Sequence, residues 1–229
     1  MSDRRRQVPF DPYYFEKQKQ DGRGLSMQET FSEIHHNNHW QGAESVSGEG
    51  SSRSQTDKLA RKLPELLKDY DIDSMLDLPC GDFSWMKHLA LPLTSYIGAD
   101  IVPELIAENK RRYGSEQRSF VMLDLTADPL PATDLLFCRD CLVHFSYADI
   151  HKALANIRSH AIGYLLTTTF PSCESNEDIT TGDWRPLNLQ AEPFNLPEPL
   201  MIIREDCTEG KGLYRDKSLA LWKISKVLL

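Results

Sequence analysis

No stretch of the 229 residues is apolar for long enough to cross a bilayer, and no apolar leader follows the first methionine, so the sequence reads as that of a soluble protein with no membrane partner. Clustered positive charge is also scarce. Lysine and arginine total 26 against 34 acidic residues, a formal net charge of -8, and the one dense basic run, Arg4-Arg5-Arg6, reads as a solvated tail. A broad nucleic-acid surface needs clustered cations to displace counterions from phosphates, so DNA and RNA are not expected as partners. Cysteine is sparse and odd in number. Cys138 and Cys141 form a C-x-x-C pair, but Cys173 and Cys207 do not supply a second pair, so no metal is expected. Several of the five cysteines sit in apolar strand-like runs, where a thiol acts as a small hydrophobe in a reducing, cytoplasmic compartment.

What is present divides in two. With 40% hydrophobic residues the chain can bury one full core, and the natural division is an amino-terminal arm and lid segment, 1–53, followed by a single domain, 54–229. The arm is polar, yet Phe10, Tyr13, Tyr14, Phe15, Phe31 and Trp40 are too many aromatics for a plain disordered tail, so part of it is expected to pack on the domain. A short helix fits Met27 to Asn37. His35, His36 and His39 read there as surface histidines rather than metal ligands. The Gly- and Ser-rich segment from Trp40 to Ser52 fits a loop covering a ligand as well as it fits an ordinary surface loop.

Ser54 and Asp57 suggest a cap for an amphipathic helix in which Leu59, Leu63, Leu66, Leu67 and Tyr70 recur at helical spacing. Pro64 inside that pattern implies a kink or the start of a second helix. From Met75 onward apolar strands alternate with helical patterns, the mark of an α/β doubly wound, mostly parallel sheet covered on both faces. Strands are expected at about 74–79, 95–100, 118–124, 134–140, 162–169, 200–207 and 218–227, and helices near 83–90, 103–113 and 147–160. Residues 171–199, with Pro171, Pro186, Pro193, Pro197 and Pro199, make a Pro-rich insertion of a length that is usually functional or disordered.

Ligands bind outside the carboxyl ends of the strands in such sheets. The first strand turns through Asp77-Leu78-Pro79-Cys80-Gly81-Asp82-Phe83, where Gly81 lets backbone approach a ligand. The second ends at Asp100-Ile101, placing a carboxylate to accept both hydroxyls of a ribose. The third ends at Asp124-Leu125, suited to the exocyclic amine of an adenine, and the fourth at Cys138-Arg139-Asp140-Cys141-Leu142-Val143-His144. One acid at a strand end is often just a cap. Three at successive strand ends describe a pocket shaped for a nucleoside.

Over about residues 54–227 the sequence resembles the class I S-adenosylmethionine-dependent methyltransferases. Leu76 to Gly81 is similar to that family's first motif, Asp100 to its ribose-binding acid, Asp124-Leu125 to its adenine-contacting pair, and Asp134 to His144 to its fourth motif. The resemblance implies a Rossmann-like, seven-stranded sheet with an antiparallel last strand, and S-adenosyl-L-methionine as cofactor. Asp77, Pro79, Cys80, Gly81, Phe83, Asp100, Ile101, Asp124, Leu125, Cys138 and Arg139 are the cofactor-binding positions it implies. The family commonly has three glycines in its first loop. Here Gly81 stands alone, with Pro79 and Phe83 in the outer places, which disfavours a nicotinamide enzyme because a pyrophosphate needs the close approach those glycines allow.

Methyl transfer is an in-line displacement that asks the protein mainly to align donor and acceptor and to exclude water. An alcohol or phenol acceptor would want a base, for which His144 leads and Asp140 is second; a histidine simply packed at a helix start is the competing reading of His144. Trp40, Glu44, Trp184, Arg185 and Asn188 are the expected acceptor-binding residues, which together with Thr167 to Phe170 at the end of the fifth strand are expected to roof the pocket. The Asp/Asn-Pro-Pro-Tyr/Phe tetrad of amino-methylating nucleic-acid enzymes is absent; Thr169-Phe170-Pro171-Ser172 is the nearest segment. A small molecule or sugar is the expected acceptor, O- or N-methylated. A protein side chain, or a binding protein that has lost catalysis, are the alternatives, and the sequence leaves the oligomeric state open.

Overall fold

The computed structural model describes residues 4–226. Its centre is a seven-stranded sheet in the order β3-β2-β1-β4-β5-β7-β6. The strands are β1 (Ser74–Asp77), β2 (Ser95–Asp100), β3 (Arg118–Met122), β4 (Thr133–Cys138), β5 (Ile162–Thr169), β6 (Met201–Arg204) and β7 (Ser218–Lys223). β1 to β5 pair in parallel, and β7 runs antiparallel between β5 and β6. This is the doubly wound, Rossmann-like architecture expected from the sequence, with its antiparallel last strand. That strand ends earlier than expected, and residue 227 of the expected range lies outside the described residues.

Five helices of seven residues or more accompany the sheet among the described residues, α1 (Tyr14–Gln20), α2 (Met27–His36), α3 (Arg53–Asp69), α4 (Pro103–Tyr113) and α5 (Tyr147–Arg158), with a short kinked turn of helix at Glu209–Gly212. Leu59, Leu63, Leu66 and Leu67 of α3 and Ile106 of α4 pack with Met75, Tyr96 and Phe120 in one core layer. Ile150, Ala153 and Ile157 of α5 pack with Leu76, Leu136 and Leu165 in the other. β1, β2, β4, β5 and β7 feed both layers with alternate side chains, which is why they read as nearly continuous apolar residues, whereas the edge strands β3 and β6 bury only Phe120 and Ile203. α3 is one helix, with Pro64 inside it.

A helix at 83–90 does not form. The chain there makes only a single 3-10 turn, Met86–His88, because Phe83 adopts φ +56° and turns its ring into the core against Tyr96, Tyr113 and Phe120. The insertion 171–199 is irregular but packed: Leu187 and Leu189 are fully buried. Arg185, also fully buried, donates to the carbonyls of Leu142 and Phe145 at 2.9 Å each. Backbone amides that a helix or strand would have paired are thus replaced by side-chain donors and acceptors.

The amino-terminal segment folds over the carboxyl edge of the sheet. Ser26 and Glu29 form a reciprocal cap at the start of α2. The start of α1 is held by Asp183 of the insertion, fully buried, whose carboxylate accepts from the Phe15 amide at 2.9 Å and the Glu16 amide at 3.2 Å. An acid at a helix start both satisfies free amides and meets the positive end of the helix dipole.

Candidate active site

Successive parallel strands end at the same edge, so their last residues are neighbours. Asp77 lies opposite Gly98 and Phe137, and Asp100 opposite Met122, two residues before Asp124. Asp77, Asp100 and Asp124 line one cavity, together with Pro79, Cys80, Gly81, Ile101, Leu125, Arg139, Asp140, His144 and Trp40. Met27, Phe31, Ile34, Val46, Ser47 and Ser51 from the amino-terminal segment form its opposite wall.

The three acids differ in how they are held. Asp100 is buried and accepts from the Gly81 amide at 3.1 Å and the Val102 amide at 3.0 Å, which bends the first loop toward the second strand end. Burial still dominates, pushing its carboxyl up to about 6. Asp77 accepts from the Tyr96 hydroxyl, and burial pushes it up to about 7 against that bond. Asp124 accepts from the amide and hydroxyl of Thr126 at 2.7 and 2.6 Å, so it caps a turn while facing the cavity. Two desolvated carboxyls beside one cavity are a site short of positive charge and hydroxyl donors.

Gly81 adopts φ +53°, and a Cβ there would lie 2.3 Å from Ser47 Oγ. Only a glycine lets the first loop and the amino-terminal segment close on each other at this point.

Beyond β4 lies a buried ionic cluster. Arg139 donates to Glu205 through Nε at 3.0 Å and through Nη2, and Nη2 also donates to the Gly50 carbonyl at 2.9 Å. Asp140, at φ +52°, has its amide on Thr168 Oγ1 and its carboxylate 2.7 Å from Lys217 Nζ and 3.1 Å from Arg139. Burial opposes ionisation of Asp140, but Arg139 and Lys217 outweigh it and hold its carboxyl well below the usual range. An acid held in this way is a fixed negative charge and a poor proton acceptor.

His144 is buried in the 3-10 turn Leu142–His144, stacked on Trp40 at 4.5 Å between ring centroids. Its Nδ1 lies 3.0 Å from the main-chain carbonyl of Asp183. A carbonyl only accepts, so Nδ1 carries the proton and Nε2 the lone pair. Burial pushes the imidazole down to about 4, so it is neutral at pH 7.

A second cavity adjoins the first. Trp40, Ser47, Asp140 and His144 line both. Trp184, expected among the acceptor contacts, lines the second cavity, its ring 4.9 Å from that of Tyr214.

Five expected site residues lie elsewhere. Phe83 is core, as described above. Cys138 is fully buried, and its carbonyl accepts from Thr167; Cys141 lines the cavity in its place. Glu44 is exposed and accepts from the Arg53 amide at the start of α3. Arg185 ties the insertion to the turn after β4, and Asn188 donates to the Cys173 carbonyl at 3.0 Å within the insertion. Conversely, Tyr96, Glu205, Lys217 and Asp183 are partners of the cavity residues that spacing along the chain gave no sign of.

Residues 75–161, from β1 through α5, match the protein family described as a methyltransferase domain. No curated protein matches the chain in sequence. The N-methyltransferase NodS of Bradyrhizobium japonicum, solved with S-adenosyl-L-homocysteine, has the same fold with a TM-score of 0.57 at 14% identity, over 86% of this chain and 97% of its own. Human N-acetylserotonin methyltransferase, solved with S-adenosylmethionine, gives 0.54 at 15% identity over 86% of this chain and 56% of its own. Magnesium protoporphyrin IX methyltransferase from Synechocystis, also solved with S-adenosylmethionine, gives 0.51 at 17% identity over 68% and 81%. At these identities the likeness is one of fold. Together with the match of residues 75–161 to a methyltransferase domain, the strand order and the antiparallel last strand give the chain a Rossmann-like methyltransferase fold. Among the described residues no helix is long and apolar enough to cross a membrane.

Proposed function

We propose that the chain transfers a methyl group from S-adenosylmethionine to a small-molecule acceptor. The observation that carries this reading is the meeting of Asp77, Asp100 and Asp124 in one cavity at the carboxyl edge of the sheet. Residues and cofactor fit each other chemically: each carboxylate keeps lone pairs beyond its present partners, and a ligand bearing hydroxyls, an amine and positive charge supplies what two desolvated acids lack.

In this reading Asp100 accepts the ribose hydroxyls, Asp124 with Leu125 contacts the adenine, and Asp77 with the Pro79–Gly81 turn faces the amino-acid end. The cofactor, when bound, supplies a methyl group made electrophilic by a positive sulfur. Trp40 and the α2 residues Met27, Phe31 and Ile34 exclude water over it. His144, neutral and fixed by Asp183, presents Nε2 to the acceptor as a hydrogen-bond acceptor that orients it. Asp140 holds a constant negative charge at the border of the two cavities.

Calorimetry with S-adenosylmethionine and S-adenosylhomocysteine tests the proposal. Saturable binding of both at one site is expected, followed by methyl release once an acceptor is present. No binding of either refutes it, and binding without turnover on any acceptor favours a regulatory protein.

A further inference from the structure

The second cavity has a chemistry of its own. Phe10, Trp40, Phe170, Trp184 and Tyr214 give it aromatic walls. Among the described residues that line it, Glu49, Asp140 and Glu209 are carboxylates and Lys217 is the one lysine or arginine. The Lys217 ammonium is already engaged, 2.7 Å from Asp140 and 3.6 Å from Glu209. With Arg139 and Glu205, which pair behind Asp140, counted in, four acids stand against two cations, so the space is electronegative, and aromatic faces add to that through their quadrupoles.

Methyl transfer moves positive charge from sulfur to the acceptor atom. An amine enters as its ammonium ion and loses one proton to water, which frees the lone pair. The lone pair then forms the new N–C bond, the C–S bond breaks with its electrons passing to sulfur, and the nitrogen carries the charge again until it releases a second proton to water. A cavity of carboxylates and aromatic faces stabilises that charge where it arrives. A hydroxyl acceptor makes a different demand, because its oxygen must surrender a proton for the transfer to proceed at a useful rate. His144, at about 4, takes a proton poorly at neutral pH. Asp140 is pinned as an anion by Arg139 and Lys217, and Lys217 is held protonated by its carboxylate neighbours. An anionic acceptor would meet three carboxylates with no cation to spare.

We infer that the second cavity binds the methyl acceptor and that this acceptor is an amine carried on a flat or apolar body, which makes the protein an N-methyltransferase of small amines. The inference rests on the first cavity being the S-adenosylmethionine site. Because Trp40, Ser47, Asp140 and His144 belong to both cavities, a molecule in the second reaches the edge of the first.

The test uses the full chain saturated with S-adenosylhomocysteine and three matched probes: phenethylamine, 2-phenylethanol and 3-phenylpropanoate. Calorimetry is expected to show the amine binding at least about tenfold tighter than either analogue. Glu209→Gln is expected to reduce that preference several-fold while leaving S-adenosylhomocysteine affinity and melting temperature unchanged. Tighter binding of the alcohol or the carboxylate overturns the inference, as does saturation with S-adenosylhomocysteine but no binding of any probe. Failure to bind S-adenosylhomocysteine at all refutes the cofactor site instead, so the two failures are told apart.

Discussion

His144 and Asp183 are joined through the backbone of one and the ring of the other, while the Asp183 carboxylate holds the start of α1. One residue of the insertion thereby ties the amino-terminal segment to the histidine at the border of the two cavities. Asp183→Asn keeps the volume but turns one accepting oxygen into a donor facing the Phe15 and Glu16 amides, and a buried group left without its partner costs about 1–3 kcal/mol. Faster trypsin cleavage at Lys17, Lys19 and Arg23 is expected, with methyl transfer to the best amine acceptor reduced about tenfold. Digestion and rate both equal to those of the parent chain would break the proposed link.

His144→Ala separates orientation from binding. The imidazole is neutral and its Nδ1 is spent on Asp183, so its loss removes an orienting acceptor and the ring stacked on Trp40. Single-turnover rates are expected to fall by about 10- to 100-fold with S-adenosylhomocysteine affinity within about threefold of the parent. A rate at saturating substrate equal to the parent's would leave His144 a packing residue.

Asp100 offers a test by pH as well as by mutation. Asp100→Ala is expected to weaken cofactor binding at least about tenfold, roughly 1.4 kcal/mol. With Asp100 at about 6 and Asp77 at about 7, both are increasingly protonated as the pH drops below neutral. Protonation removes the charge that faces a cationic ligand, so affinity for S-adenosylmethionine is expected to rise between pH 5.5 and pH 8, with protons released on binding. Calorimetry in buffers of different ionisation enthalpy reads that release directly. A flat affinity profile would mean that neither acid meets the cofactor.

The same acids bear on stability. An unfolded aspartate loses its proton near 3.8, whereas folded Asp77 keeps it to about 7. Between those values the folded state binds more protons than the unfolded one, so its stability from this residue is fully present below 3.8 and is lost as the pH rises through 7. Asp77→Asn can still accept from Tyr96 and cannot ionise. The ligand-free variant is therefore expected to be more stable than the parent at pH 8, by roughly 1–3 kcal/mol, with no difference at pH 4. Parallel denaturation curves for the two proteins at every pH would contradict the burial-driven shift.

Much of this arrangement was legible in the sequence because it depends on strand ends. Asp77 and Asp100 are the last residues of β1 and β2, Asp124 follows the end of β3 by two residues, and parallel strands align their ends. What was not legible depends on contacts between distant segments. Arg185 and Asn188, in a Pro-rich stretch with a tryptophan, have the composition of a ligand contact, but a guanidinium that serves three carbonyls has the same sequence signature as one that serves a substrate. Phe83 sits where a glycine was expected, and only the aromatic cluster of Tyr96, Tyr113 and Phe120 shows why a left-handed phenylalanine is held there. Glu205, just after β6, and Lys217, just before β7, reach Arg139 and Asp140 from 66 and 77 residues away, a distance no motif spans.

Gly81 gives the most local test of how the amino-terminal segment meets the first loop. A Cβ at this position would stand 2.3 Å from Ser47 Oγ and 3.3 Å from Ser47 Cβ, and the residue adopts φ +53°. Gly81→Ala therefore carries two separable penalties, a left-handed backbone costing roughly 1–2 kcal/mol and a steric clash with Ser47. Ser47→Ala removes the hydroxyl responsible for the closer contact but leaves the backbone unchanged. In a double-mutant cycle read by S-adenosylhomocysteine affinity, Gly81→Ala is expected to weaken binding at least about tenfold, and adding Ser47→Ala is expected to restore part of it, giving a coupling of about 1 kcal/mol or more. Strict additivity would show that Ser47 does not rest on the first loop in solution, and the amino-terminal wall of the cavity would have to be drawn differently.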